Sequence, residues 1–282
     1  MGVLSPPGGA VLESIKGEEA ARLFTDHTGI RPRGDAMAFL RDVASGLSRF
    51  PYENISKIIK SADCAGPRES MRLPDEVVAD HIRRNFGGTC FSLTFLLERM
   101  LTALGFDCYK VMADMRSGTN VHCLVVVRGA DAKCIIDPGY ALSEVVELPR
   151  RGRVTVEFPH ALVNLDTDDG KRFNLWTEDA SGQKWRYAFT DEPVGEDDFE
   201  AHWVSSFDKP TLRNICLTMM TTQGHIYFRK DFFKFTSQRT ITKRKLKHDI
   251  ERFIQEEFGI AGEWTDLARK ALEEVRARSW QK

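Results

Sequence analysis

The amino-acid sequence predicts an α+β fold, and three of its features lead there. Apolar residues recur at helical intervals as far as residue 105, the period drops to two from Asp107, and helical spacing returns after residue 245. Helices, then strands, then a mixed closing part is the order of an α+β chain. At 282 residues it is long enough for about two domains of roughly 100–200 residues each.

The opening Met1-Gly2-Val3-Leu4-Ser5-Pro6-Pro7-Gly8-Gly9 reads as a loose tail. It lacks the charged start and long apolar core of a secretory signal, and Pro6 breaks the myristoylation pattern. Residues 18–29 read as a short helix with Ala20, Ala21, Phe24 and His27 near one face. Residues 35–48 read as a second, with Ala38, Phe39, Leu40, Val43 and Leu47 at helical spacing. Phe50-Pro51-Tyr52-Glu53-Asn54-Ile55 breaks that pattern. Leu73-Pro74-Asp75 opens a third helix through Arg83, Pro74 suiting a first turn and Asp75 complementing the helix dipole. Asn85-Phe86-Gly87-Gly88-Thr89-Cys90 leads into an apolar helix striped by Leu93, Leu97, Met100, Leu101 and Leu104 and stopped at Gly105. Segments 107–115, 120–128 and 132–137, rich in Val, Ile, Tyr and Cys, read as strands. Segments 154–158, 161–165, 184–189, 215–221 and 225–229 follow, and their spacing suggests an antiparallel barrel or curled sheet. Residues 246–258 and 264–278 close the chain as amphipathic helices.

A net charge of −1 offers no global field to recruit nucleic acid or an anionic membrane. No apolar run approaches the ~18 residues of a transmembrane helix. The six cysteines, Cys64, Cys90, Cys108, Cys123, Cys134 and Cys216, include no C-x-x-C pair, so the common zinc and thioredoxin-like spacings are missing. Cys90 apart, they read as small apolar residues in a reducing cytosol. The expectation is a cytoplasmic protein without a metal, whose partners are small molecules.

Cys90 stands out because of its surroundings. Gly87-Gly88 lets the backbone turn sharply and another group approach closely, and Thr89 suits the cap of the following helix. Cys90 then falls in the first turn, where free N–H groups and the helix dipole lower a thiol pKa and are placed to stabilise an oxyanion. A plain buried cysteine fits those residues equally well, so the partners decide. Val121-His122-Cys123-Leu124-Val125-Val126-Val127 and Lys133-Cys134-Ile135-Ile136-Asp137 flank a turn. Centring the hairpin between Gly129 and Ala130 places His122 directly opposite Asp137, on one face. Such a pair is either a structural ion pair or a carboxylate that fixes an imidazole tautomer so that the other ring nitrogen takes a thiol proton. A helix-start Cys followed by His and Asp on neighbouring strands favours the second: nucleophile, base and orienter are Cys90, His122 and Asp137. The run Lys243-Arg244-Lys245-Leu246-Lys247-His248 reads as a solvated helix start, or as a weak site for the phosphates of a nucleotide-containing cofactor.

These motifs together resemble the arylamine N-acetyltransferase family. The family's Arg-Gly-Gly-x-Cys-x-Glu-x-Asn is matched by Phe86-Gly87-Gly88-Thr89-Cys90-Phe91-Ser92-Leu93-Thr94, and its Pro-Phe-Glu-Asn by Pro51-Tyr52-Glu53-Asn54. Val121-His122, Ile136-Asp137-Pro138-Gly139-Tyr140 and Glu257-Phe258-Gly259-Ile260 follow in the family's order. The resemblance implies an N-terminal helical bundle carrying the Cys (1–106), a central antiparallel β-barrel carrying His and Asp (107–214) and a C-terminal α/β lid (215–282). It also implies ping-pong transfer of an acetyl group from acetyl-CoA through Cys90 to an aromatic amine or hydrazine, with Tyr140 and Phe91 at the acceptor pocket. An amide synthase or a cofactor-free thiol hydrolase would use the same triad. The family's Arg, Glu and Asn are replaced by Phe86, Ser92 and Thr94. Loss of both charged partners together suggests an ion pair exchanged for an apolar contact.

Overall fold

Helical stripes and capping residues mark out the first third of the chain: α1 (Gly8–Thr28), α2 (Ala36–Leu47), α3 (Ile55–Asp63), α4 (Pro74–Arg84) and α5 (Cys90–Ala103). A two-residue strand, β1 (Tyr52–Glu53), separates α2 from α3. The computed structural model describes residues 8–279 except Ala141 and Ser143, so the expected tail lies, through Pro7, outside the described residues. Asp35 starts α2 by accepting from Met37 N (2.9 Å) and Ala38 N (3.1 Å). Asn85, left-handed at φ 55°, ends α4. Ala20, Phe24, Phe39, Val43, Leu47, Leu93, Leu97 and Leu101 form one buried cluster. Helix α3 had no reading in the sequence because the break at Pro51 hides its start.

The period-two region forms β2 (Cys108–Met115), β3 (Gly118–Arg128), β4 (Lys133–Ile136), β5 (Val146–Glu147), β6 (Gly152–Phe158), β7 (Ala161–Thr167), β8 (Arg172–Asp179) and β9 (Gly182–Thr190). They pair antiparallel in the order β5-β4-β3-β2-β9-β8-β7-β6 and curl into a nearly closed barrel. Alternation assigns the faces. Val125, Val127, Cys134 and Ile136 pack on the helices, whereas Leu124, Val126 and Ile135 join Leu165, Phe173 and Tyr187 in the barrel core.

Helix α6 (Glu196–Ser205) leads into β10 (Cys216–Thr221), β11 (Gly224–Arg229), β12 (Phe232–Thr236) and β13 (Ile241–Lys245), and α7 (Ile250–Phe258) and α8 (Gly262–Ser279) end the described chain. The second sheet runs β1-β10-β11-β12-β13. The basic run expected at a helix start is therefore β13 where it carries Lys243, Arg244 and Lys245. Leu217, Ile226, Phe228 and Phe233 pack against Ile55, Phe253, Ile254 and Ala268. The opposite face, with Tyr52, Thr218, Tyr227 and Lys234 in one row across paired strands, lines a cavity. Among the described residues no helix is long and apolar enough to cross a membrane.

Candidate active site

Cys90 is the first residue of α5, behind Thr89 at the cap position, whose side chain makes no capping bond. Backbone contacts fix the turn from behind. Gly88 N donates to Pro51 O at 3.3 Å and Glu53 N donates to Gly88 O at 3.0 Å. A Cβ on Gly87 would stand 1.9 Å from Pro51 O, so this approach requires glycine. A buried ion cluster clamps the same turn. Arg72, 3% exposed, donates to Gly87 O (2.6 Å), Ser56 Oγ (2.7 Å) and Asp80 Oδ2 (2.8 Å), with Glu53 Oε1 at 3.7 Å. Where an apolar contact is expected in place of the family's charged pair, Phe86 is buried in a hydrophobic cluster. Phe86 packs on Trp264 with ring centroids 5.7 Å apart, Ser92 Oγ donates to Thr89 O at 3.1 Å, and the cation at the turn comes from Arg72 instead of position 86. Thr94 Oγ1 donates to Cys123 O at 3.0 Å and ties α5 to β3.

The β3–β4 hairpin pairs Val125↔Ile136, Val126↔Ile135, Val127↔Cys134 and Arg128↔Lys133. Its four-residue loop, 129–132, closes with Gly129 N donating to Ala132 O at 3.0 Å. The register thus lies two residues from the expected one, and His122 is not directly opposite Asp137. Asp137 sits just past the end of β4, a diagonal step away. A shift of two keeps both side chains on one face, where diagonal neighbours still reach each other. His122 Nε2 meets Asp137 Oδ2 at 2.7 Å, and both residues are buried. Tyr140 N donates to Asp137 Oδ1 at 2.9 Å from the tight turn Pro138–Tyr140. With Nε2 engaged, the imidazole has Nδ1 left for the Cys90 thiol, which hydrogen-bonds the ring.

The electrostatics favour a thiolate–imidazolium pair. The Cys123 thiol beside Cys90 hydrogen-bonds it and holds its pKa well below the ordinary thiol range; burial opposes this, and the His122 hydrogen bond and charge and the Lys57 charge add to it. Burial disfavours a charged His122, but the Asp137 charge and hydrogen bond, with Cys90, push it up to about 10. Cys123 itself is raised, by burial first, and stays a donor. The thiolate is lost only as pH falls through the depressed Cys90 pKa. Alkylation of Cys90 by iodoacetamide is therefore expected to slow far less between pH 8 and pH 6 than that of a free thiol of pKa ~8.5, which slows roughly 70-fold over that interval. Rate measurements across this range check it; a loss matching the free thiol would contradict the pair.

The group opens into a cavity of about 740 Å³ between the barrel and the second sheet. Tyr140 lines it, its ring 6.4 Å from His122, and burial pushes its hydroxyl up to about 12. Phe91 also lines it, packed 5.5 Å from Phe199 and 6.3 Å from Trp203. Lys243 pairs across strands with the cavity-lining Lys234 and shares its face. Arg244 points to the other side, its guanidinium 4.6 Å from the Phe233 ring and 5.4 Å from Phe253. Three site residues escaped sequence reasoning. Tyr187, fully buried, lies 5.0 Å from the His122 ring, and Lys57 and Cys123 act on Cys90 directly. Cys123 carried a signal, since it adjoins His122 and faces α5 by alternation.

Comparisons with known proteins follow the same line. The family model described as N-acetyltransferase matches residues 37–266. A search of curated proteins gives no match. Among solved structures, the chain resembles the arylamine N-acetyltransferase from Mycobacterium abscessus at 18% identity and TM-score 0.78, over 95% of this chain and 99% of that one. It resembles the one from Mycobacterium tuberculosis at 18% and 0.73, over 89% and 98%. The one from Salmonella typhimurium matches at 17% and 0.72, also over 89% and 98%. At such identities the solved structures speak to the fold, and the family match speaks to the lineage.

Proposed function

Because the chain belongs to the N-acetyltransferase family, we propose that it moves an acetyl group from acetyl-CoA to an aromatic amine or hydrazine through a thioester on Cys90. The observation that carries this is the buried sequence Cys90–His122–Asp137 opening into one large cavity. The Cys90 thiolate attacks the acetyl carbonyl, N–H groups at the start of α5 being placed to stabilise the oxyanion. The CoA thiolate leaves and takes the proton from His122. The acceptor nitrogen then attacks the thioester and gives its proton to His122, and collapse expels the Cys90 thiolate, restoring the resting pair. Asp137 keeps Nδ1 as the nitrogen that exchanges these protons. We assign the Cys to the segment 1–106, the His and Asp to 107–214 and the cover of the cavity to 215–282.

The row of cavity-facing residues supports a CoA donor. Tyr52, bridged to Gly88 beside Cys90, begins the row, and Lys234 and Lys243 lie three and four strands further on. At about 4.8 Å per strand that is about 14–19 Å. A pantetheine arm of roughly a dozen bonds, each advancing about 1.2 Å as in an extended backbone, spans about 15 Å. Lys184, Arg186 and Lys243 all act on Lys234, with Asp179 the opposing charge, so cations are in excess where the phosphates would arrive. Arg244, facing away, has no part in this. Phe91 and Tyr140 support an aromatic acceptor. Family membership disfavours the hydrolase reading. Incubation with acetyl-CoA and no acceptor is expected to leave one acetyl group on Cys90 by intact mass and none on Cys90→Ala; a reactive Cys90 that takes no acetyl group would refute the reading.

A further inference from the structure

Among the described residues, Lys57, Arg72 and Lys110 are the lysines and arginines buried to 5% exposure or less. Buried cations are ordinarily paired, because an unpaired charge out of water is costly. Arg72 has Asp80 at 2.8 Å and Glu53 at 3.7 Å; Lys110 has Glu196 at 2.9 Å and Glu98 at 3.2 Å. Lys57 differs. Its Nζ donates to Ser206 Oγ at 2.6 Å and lies 3.8 Å from the centre of the Phe207 ring, neither of them an anion. Among the described residues the anion that acts on it is the Cys90 thiolate, and both residues line the cavity. Burial pulls Lys57 down to about 8, with Cys90 pushing the other way, so near pH 7 it is still mostly an ammonium. Its position is firm: Asn54, at the start of α3, donates to Asn214 O at 2.9 Å and accepts from Cys216 N at 2.8 Å.

Acylation changes this balance. Once the Cys90 sulfur carries an acyl group it has no charge, and Lys57 loses its anion at the moment the acceptor enters. We propose that Lys57 is a specificity-determining residue that binds a carboxylate on the acceptor, so that the preferred acceptor is an aromatic amine bearing an acid group. The inference rests on the thioester reading above. The cations around Lys234 do not substitute for it, since they stand three strands from the Cys90 end of the sheet.

The test compares 4-aminobenzoate with the neutral 4-aminobenzamide, using acetyl-CoA, in wild type, Lys57→Met and Lys57→Arg. Wild type is expected to favour the acid at least tenfold in kcat/KM. Lys57→Met should cancel that preference while changing the amide rate several-fold less than the acid rate, and Lys57→Arg should restore part of it. An equal loss for both amines would assign Lys57 to the thiolate alone and overturn the proposal, as would a wild type without preference. A wild-type preference for succinyl-CoA over acetyl-CoA with the neutral amine, cancelled by Lys57→Met, would move the carboxylate to the acyl group and overturn the acceptor assignment. Equilibrium binding to Cys90→Ser, which has no thiolate, needs no transfer chemistry. The acid should bind at least tenfold tighter than the amide there, with the difference gone in Cys90→Ser/Lys57→Met. That result stands or falls even if Cys90 is never acetylated, so failure of this inference and failure of the thioester reading are separable.

Discussion

Replacing Asp137 with Asn is expected to lower kcat/KM about a thousandfold to ten-thousandfold while leaving the fold in place. The carboxylate accepts from His122 Nε2 at 2.7 Å and from Tyr140 N at 2.9 Å. An asparagine can keep the second bond through its carbonyl oxygen. It then presents an NH2 to Nε2, which must become the acceptor, so the ring proton moves to Nδ1, the nitrogen needed to take a proton from the thiol. A wrong tautomer in a Cys or Ser triad costs about that much. Loss of the Asp137 charge also removes the largest of the influences that raise His122, so the resting ion pair weakens and Cys90 alkylation at pH 6 should slow with the turnover. Steady-state kinetics, alkylation rates and a thermal melt on the same preparation check the prediction together. Retention of more than a tenth of the activity would mean that His122 is oriented by something other than Asp137.

Gly139→Ala is the second large effect, expected at about a hundredfold or more in kcat/KM with a modest stability loss of about 1–3 kcal/mol. Gly139 needs no unusual backbone angle; its reason is space. A Cβ there would stand 2.6 Å from Cys90 Cβ, 2.8 Å from Cys90 Cα and 3.1 Å from His122 Cε1. The first two belong to the start of α5 and the third to a buried ring, so no flexible side-chain end can yield. The methyl group separates sulfur from imidazole, and a displacement near 1 Å is enough to cost two orders of magnitude. Gly34→Ala is the control: nothing lies within 4 Å of its Cβ position, and activity and melting temperature should hold. Equal behaviour of the two variants would show that the Cys90–His122 contact is not what limits turnover.

These two residues also show what the sequence could reveal. Asp137 was legible because face parity is robust: the hairpin closes two residues from the expected register, yet two is a full period of a strand. Gly139 was legible as part of a motif, and its reason became visible only when α5 and β3 were brought together. Arg72 was not legible, because its partners at positions 53, 56, 80 and 87 share no local periodicity and converge through tertiary packing. Lys57 escaped for a related reason. It sits in a nine-residue helix whose start is masked by Pro51, and its burial depends on Ser206 and Phe207, distant in sequence. The strand at Ile241–Lys245 was misread because cations occupy both of its faces, which hides the period of two. Helix α6 did leave a signal, with three acidic residues in its first turn and Phe199 and Trp203 four apart and buried.

The central claim is that Cys90 carries the acetyl group from one substrate to the other. A pulse and chase addresses it: mix the protein briefly with acetyl-labelled acetyl-CoA, remove all free CoA compounds by rapid desalting, and add an aromatic amine. The account predicts one label per chain after the pulse, mapped to Cys90, and quantitative passage of that label to the amine nitrogen in the chase. Label that never attaches to Cys90, or that stays there while the amine is acetylated only when fresh acetyl-CoA is supplied, would contradict it.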